Sequence, residues 1–337
     1  MRKTKIGSFI CVLLVLLLVV TGCSSKPVQP AESQQPAEAQ QVSYPEKPIT
    51  VIVPYGPGGP VDLLTRTVGK YAEKYLGQPF VVKNVEGAGG ENGFSTMLRS
   101  PADGYTISAM TSGHITLTVM RDASYKVVED VQPVALVVQD ETFIVVRAND
   151  DRFNTIEDII NFTKENPRKF TVGTSGAGSS EHFAILGLNK AAGIEVESVH
   201  FGGSAEAKAA FLGGHVDAFA PSYGEATQLV AEKKAKIIGV FAEERLSDMP
   251  DIATFKEKGI NMVLSNIRGF SVPKDTPKEI IDKLSDAIKK ATEEPGYIEE
   301  MTNLGLPLKY ADSNEYARLI KLQYDTYKDL ASEVKAQ

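Results

Sequence analysis

Four times this chain runs a short apolar strand into a glycine-rich turn and then into a stretch of helical periodicity. Ile49–Val53 leads into Pro54-Tyr55-Gly56-Pro57-Gly58-Gly59, with Asp62 just beyond. Residues 80–83 lead into Gly87-Ala88-Gly89-Gly90, and residues 170–172 into Gly173-Thr174-Ser175-Gly176-Ala177-Gly178-Ser179. Residues 196–201 lead into Gly202-Gly203-Ser204. Alternation of this kind dictates a parallel sheet covered by helices, an α/β class. Helix starts also leave backbone N–H groups unpaired, where they can hold an anion. No nucleophile–base set accompanies the turns. The pattern points to a protein that grips a small anion and does not transform it, so no catalytic residue and no cofactor is expected.

The N-terminus addresses the chain to the outside of a membrane. Arg2, Lys3 and Lys5 precede an unbroken apolar run over residues 9–20. That run falls short of the ~20 residues a bilayer span needs and fits the core of a signal peptide. It ends in Val20-Thr21-Gly22-Cys23-Ser24, which resembles the lipobox of bacterial lipoproteins, where the cysteine is lipidated and becomes the first mature residue. An ordinary signal peptide with an incidental cysteine is the plainer alternative. Residues 24–43 are rich in Gln, Glu, Pro, Ala and Ser and bury too little to order themselves. They read as a tether. The expected organisation is a lipoprotein signal peptide over 1–22, a lipidated Cys23 with its tether over 23–43, and a folded body from Tyr44 onward.

Cysteine and charge narrow the chemistry. The two cysteines are Cys11, within the segment to be removed, and Cys23. The body therefore offers neither a disulfide nor a thiolate metal site, and the four histidines show no ligand spacing. The net charge is −7, and loss of the basic N-terminus makes the remainder more acidic. With no basic run, nucleic acid is not an expected partner.

The body, about 290 residues, is long enough for two domains. Pro60–Leu76 is amphipathic and stopped by Gly77; residues 92–98 form a short helix before a strand at 105–110. Residues 134–138 and 142–146 read as strands separated by the polar Gln139-Asp140-Glu141. A second alternating run follows: a helix at 156–166, then Ser180–Ala192, 205–212 and 225–233, with strands at 216–221 and 236–241 between and after. The tail reads as mostly helical, over Lys278–Thr292 and 314–334, its aromatic stripe serving core packing. This predicts two lobes, 44–138 with 263–337 and 139–262, whose strand-end loops face a shared cleft. The long tail is expected to cover the first lobe.

Each motif has a bland counterpart. Gly87-Ala88-Gly89-Gly90-Glu91-Asn92-Gly93 begins as a dinucleotide loop but spaces its last glycine wrongly, and no GKS or GKT loop exists. Gly173-Thr174-Ser175-Gly176-Ala177 mimics a nucleophile elbow until Ala177. His182, in the first turn of a helix, suits a loop brace better than a base. Asp62 can brace its own glycine loop, and Asp217 can close a strand edge beside the cleft. Binding a carboxylate needs converging donors. Backbone N–H groups at Gly58-Gly59 and Ala88-Gly89-Gly90 can supply them, with hydroxyls from Thr174, Ser175 and Ser179. Each charge-assisted bond contributes roughly 1.5–3 kcal/mol.

Taken in order, these segments resemble the substrate-binding receptors of tripartite tricarboxylate transporters. The resemblance runs from Tyr44-Pro45 and Lys47-Pro48-Ile49 through Val53-Pro54-Tyr55, Gly58-Gly59, Asp62 and Arg66. It continues through Leu76-Gly77-Gln78-Pro79, Gly87-Ala88-Gly89-Gly90 and Ala102-Asp103-Gly104-Tyr105-Thr106. Ser175-Gly176, Gly178-Ser179 with His182, Gly202-Gly203, Gly213-Gly214 with Val216-Asp217, and Thr276-Pro277 complete it. The resemblance implies a type II periplasmic-binding-protein fold whose two lobes close over a di- or tricarboxylate. It also implies large and small membrane subunits as partners. By position it implies first-lobe contacts at Gly58, Gly59, Ala88, Gly89 and Gly90, and second-lobe contacts at Thr174, Ser175, Ser179, Gly202 and Gly203. Departures fall at Asn266-Ile267-Arg268-Gly269, where many members carry tryptophan, at Val85-Glu86, and at Phe201. Presentation of ligand to a sensor kinase and a serine esterase are the competing functions.

Overall fold

The computed structural model describes residues 43–336, so the basic start, the apolar run, Cys23 and nearly all of the tether lie outside the described residues. The chain opens with β1 (Ile49–Val53), α1 (Pro60–Leu76), β2 (Phe80–Asn84), α2 (Glu91–Leu98), β3 (Thr106–Thr111), α3 (Ser112–Met120) and β4 (Val131–Glu141). It continues with β5 (Phe143–Arg147), α4 (Ile156–Glu165), β6 (Thr171–Thr174), α5 (Ser180–Ala192), β7 (Glu197–His200), α6 (Ser204–Leu212), β8 (Ala218–Phe219), α7 (Tyr223–Ala231) and β9 (Ala235–Val240). It closes with β10 (Ser265–Pro273), α8 (Lys278–Thr292), α9 (Pro295–Asn303), β11 (Leu308–Ala311) and α10 (Ser313–Ala336).

Local chemistry sets the helix ends. Gly59 caps α1 and Pro60 starts it, its fixed φ pre-set for the first turn. At the far end Gly77 adopts φ 72° and donates its N–H to the Glu73 carbonyl at 2.8 Å. Thr155 and Asp158 form a reciprocal capping box at α4.

Two sheets result, ordered β11-β4-β10-β3-β1-β2 and β7-β6-β8-β5-β9. They share one plan. Each has a parallel trio, β2-β1-β3 or β7-β6-β8, flanked by an antiparallel strand, β10 or β5. Each antiparallel strand is the next strand in the chain after one of the other sheet, β5 after β4 and β10 after β9. The outward crossing is a single residue, Thr142, between β4 and β5. The return crossing is stitched to it, because Phe241 donates to the Thr142 carbonyl and Leu264 to the Phe241 carbonyl, both at 2.9 Å.

Three expectations change here. Gln139-Asp140-Glu141 is not a break; it is the end of β4, paired with Ile267, Asn266 and Ser265 of β10. Gln139 bonds Glu141 and Asp140 meets Arg268, which offsets much of the usual cost of placing polar groups in a central strand. The tail is mostly helical, as expected, but its approach also supplies an unforeseen strand, β10, to the middle of the six-stranded sheet. Gly269 disguises that strand, and no other residue fits, because a Cβ there would lie 2.2 Å from the Ala135 carbonyl oxygen. The helix α3 also goes unforeseen, its β-branched Ile115, Thr116, Thr118 and Val119 reading against helix. A capping box between Thr111 and His114 and cover from α10 hold it.

The last helix does more than cover one half. Tyr316, Ile320, Tyr327 and Leu330 are buried as the stripe requires. Yet α10 packs against β4 and α3 on the six-stranded side and also against α5 on the five-stranded side. The Tyr327 ring sits 4.6 Å from that of Phe183, and Lys190 pairs with Asp329 at 2.6 Å. One apolar cluster therefore runs from Ile52 and Phe94 through Tyr327 to Phe183 and Val172.

Candidate functional site

A cavity of about 330 Å³ opens at the carboxyl ends of β1 and β3. Tyr55, Gly59, Pro60 and Val61 line one side, and Thr111, Ser112 and Gly113 another. Asn266, Ile267 and Arg268 of β10 complete it. The starts of α1 and α3 thus border one space with the positive ends of their helix dipoles, although Pro60 has no N–H and the Thr111 hydroxyl already accepts that of Gly113 at 3.2 Å. Arg268 supplies a full charge.

The frame around the cavity is tightly bonded. Asp62 is buried and accepts the Gly58 N–H at 2.9 Å, an Arg66 fork at 2.9 and 3.0 Å, and the Asn84 amide at 3.0 Å. Burial alone would raise this carboxyl; Arg66, the Gly58 N–H and Asn84 outweigh it and hold it at about 2. Asn84 also donates to the Tyr55 carbonyl at 2.9 Å, tying the two turns together.

Tyr55 and Thr111 share a hydroxyl contact at 2.9 Å. The Thr111 N–H donates to Nδ1 of His114 at 3.0 Å, which leaves the proton of a neutral ring on Nε2. Burial lowers His114 to about 4 and keeps it in that neutral form. Its Nε2 lies 3.1 Å from where a Gly90 side chain would begin, with the Tyr55 ring 3.3 Å from the same point. Residues Gly87, Ala88, Gly89 and Gly90 all take positive φ, from 50° to 118°. Arg121 pins this turn through the Ala88 carbonyl at 2.6 Å and Glu91 at 2.8 Å.

The predicted contacts divide. Gly59 borders the cavity; Gly58 and Gly90 stand behind it, engaged with Asp62 and packed on Tyr55 and His114. Ala88 and Gly89 lie further out and exposed. The five-stranded side is different in kind. Thr174 is fully buried, its hydroxyl 2.8 Å from Nδ1 of His200. Ser175 donates to Glu181 at 2.8 Å, and the Gly202 N–H to Glu206 at 2.9 Å. Ser179 caps α5 by accepting the His182 N–H at 3.2 Å, and Gly203 caps α6. His182 accepts the Gly178 N–H at 3.0 Å and lies 4.2 Å from the His200 ring.

Asp217 is the misplaced one. It accepts from the Thr171 N–H and hydroxyl at 3.1 and 2.9 Å and pairs with Arg152 at 2.7 Å. Those groups sit at the amino ends of β6 and β8, away from the turns that follow β6 and β7. It fastens two strand starts rather than the edge of a cleft.

Sequence reasoning left the meaning of Arg268 open and did not reach Thr111, Ser112, Gly113 or Asn266. Arg268 Nη1 stands 3.4 Å from Asp140, whose carboxyl also accepts the Tyr223 N–H at 2.8 Å. Burial raises Asp140 above its ordinary value, against the pull of Arg268. Asn266 accepts the Ser180 hydroxyl at 2.7 Å, joining the start of α5 to the cavity rim. The alternation Asn266-Ile267-Arg268 was the available signal, since a strand there puts the two polar side chains on one face.

Comparison with known proteins fits this geometry. Residues 64–335 match the tripartite tricarboxylate transporter family receptor. The chain belongs to that family. The receptor is 31% identical to the "UPF0065 protein in gbd 5'region" of Cupriavidus necator, over 84% of this chain and 86% of that one. Its structure resembles a TctC solute-binding protein from Polaromonas with a TM-score of 0.81 at 28% identity, covering 86% of this chain and all (100%) of that one. It also resembles MatC of Rhodopseudomonas palustris, solved with bound malate, with a TM-score of 0.65 at 25% identity over 86% and 100% of the two chains. The fold is that of the periplasmic binding proteins, and the receptor binds solute and is not an enzyme.

Proposed function

We propose that the receptor is an extracytoplasmic lipoprotein that captures a small di- or tricarboxylate and delivers it to the large and small membrane subunits of a tripartite transporter. Cys23 would carry the lipid anchor. One observation carries the ligand class: two helix starts and Arg268 converge on one 330 Å³ cavity. A carboxylate there meets backbone N–H groups of α1 and α3 and a guanidinium fork, with Tyr55 as a further hydroxyl donor. Malate bound to MatC gives a precedent of suitable size.

Mechanistically, the two lobes would be the six-stranded side, 44–141 with 263–337, and the five-stranded side, 142–262; the expected boundary at 139 moves because residues 139–141 pair with β10. Capture would draw them together around Thr142, Phe241 and Leu264. Closure follows ligand only if ligand makes contacts in the closed state that it lacks in the open one. Asn266, already bonded to Ser180 of α5, stands where both sides can reach the bound acid.

A thermal-shift screen over mono-, di- and tricarboxylates, with malate included, tests the reading. Ligand at a hundred times its dissociation constant stabilises by about 2.7 kcal/mol and raises the melting temperature. The expected outcome is a shift with a dicarboxylate and none with the matching diol. A shift with diols or sugars alone would overturn the carboxylate assignment.

A further inference from the structure

The hinge strands have a second face. On β4 and β10 the side chains of Asp140, Asn266 and Arg268 share one side, the side of the ligand cavity. Gln139, Glu141 and Ser265 point the other way, into a separate cavity of about 790 Å³. Ala242–Asp248 forms one bank of it, and 302–309 with α10 the other. A thin polar wall divides the two spaces. Ser112, which lines the ligand cavity, donates to Gln323 at 3.0 Å, and Gln323 donates to the Ser265 carbonyl at 2.7 Å.

Glu141 is the unusual group in this second cavity. It is 6% exposed, and its Oε1 accepts from Gln139 at 2.7 Å. Its Oε2 is buried and has no hydrogen-bond partner. A buried carboxyl oxygen left so is costly unless something meets it. The cations around it are largely engaged. Arg245 is forked by Glu257 and bonded to the Pro250 carbonyl, and Arg318 is forked by Glu315. Lys309 acts on Glu141 from the β11 side. Among the acids, Glu243 pairs with Lys256 and Asp248 accepts the Tyr223 hydroxyl, while Glu244 lines the same bank. Between these charged groups Leu246, Val263, Leu264, Leu306, Leu319 and Leu322 supply apolar surface.

We propose that this cavity is a second binding site, for a small organic cation with an apolar body, whose ammonium group bonds the Glu141 carboxyl once the side chain turns Oε2 toward the cavity. An anion would find both guanidinium groups already forked by carboxylates and only Lys309 to set against Glu141, Glu243, Glu244 and Asp248. A neutral alcohol would gain one ordinary bond. An ammonium gains a charge-assisted bond in a partly dry setting, which is stronger. Burial pushes the Glu141 carboxyl up to about 8, so at pH 7 it holds a proton in the free protein. Binding ionises it, and that proton passes to solvent. The site lies across the crossing strands, so its occupant touches both halves of the receptor.

Calorimetry with phenethylammonium, 2-phenylethanol and phenylacetate tests this, in two buffers of different ionisation enthalpy at pH 7. Phenethylammonium binds saturably with release of close to one proton, and at least about tenfold more tightly than the other two. Glu141→Gln weakens it about tenfold or more and abolishes the proton release, with cooperative unfolding retained. Leu308→Trp, at the exposed rim, weakens it without touching the carboxyl. The proposal fails if phenethylammonium shows no saturation at ~10 mM, if phenylacetate binds better, or if both variants bind as the parent does.

Discussion

The turns of the six-stranded side and those of the five-stranded side look alike in sequence and differ in what they hold. On the first side, Asp62 takes one N–H, that of Gly58, and otherwise bonds side chains. The starts of α1 and α3 remain directed into a cavity. On the second side, the chain's own groups engage the donors: Glu181 takes Ser175, Glu206 takes Gly202, Glu225 takes Ser204 at 2.7 Å, and His200 meets Thr174. A glycine turn followed by a helix is therefore not by itself a sufficient sign of an anion site. A carboxylate three or four residues into the helix can fill the same place.

Four experiments can break or sharpen this contrast. Arg268→Met removes the one full positive charge on the cavity wall. It should weaken the best acid from the screen by roughly 10- to 150-fold, one charge-assisted bond, by calorimetry. An unchanged affinity would move the site elsewhere.

Asp62 gives the next effect. Its folded value is about 2 against an ordinary 3.8. A depressed carboxylate stabilises above the ordinary value, and that contribution disappears as pH falls from 3.8 toward 2. Asp62→Asn should cost about 2–3 kcal/mol at pH 7 and flatten the acid limb of a stability–pH curve. A parallel acid limb in parent and variant would contradict the assignment.

Gly90→Ala and Gly59→Ala form a matched pair. Gly90 has φ 100° with His114 and Tyr55 close by, so its alanine should cost about 1–3 kcal/mol in urea unfolding. Gly59 is extended at φ −76° and a Cβ there would make only an ordinary contact, 3.5 Å from the Gly56 carbonyl oxygen, so its alanine should cost at most about 1 kcal/mol. Equal losses would mean that the turn geometry is not what matters. The smallest effect belongs to Ser175→Ala, which should leave affinity within about twofold because its hydroxyl serves Glu181. A large loss would return the five-stranded turns to the binding surface.

Much of the plan was legible because strand–turn–helix order follows from local periodicity and glycine. Lys278–Thr292 and Ser180–Ala192 matched their predicted limits, since amphipathic spacing and Gly193 mark them from within. What escaped depends on distant partners. Gln139-Asp140-Glu141 reads as a loop until Ser265-Asn266-Ile267 lies beside it. Thr174 and Ser175 read as ligand hydroxyls until His200 and Glu181 fold back on them. Arg268 stood out as a departure from the family, but its position on the cavity wall needs β10 in the sheet centre.

The 24-residue helix at the end of the chain has a consequence for the order of assembly. Tyr316 and Tyr327 complete an interior many of whose members, from Ile52 to Phe183, are made much earlier. That interior must wait, open to water, until residues 316–330 are made. Whatever carries the nascent chain before then has a large apolar surface to recognise, and a chain cut short by a few turns would never lose it.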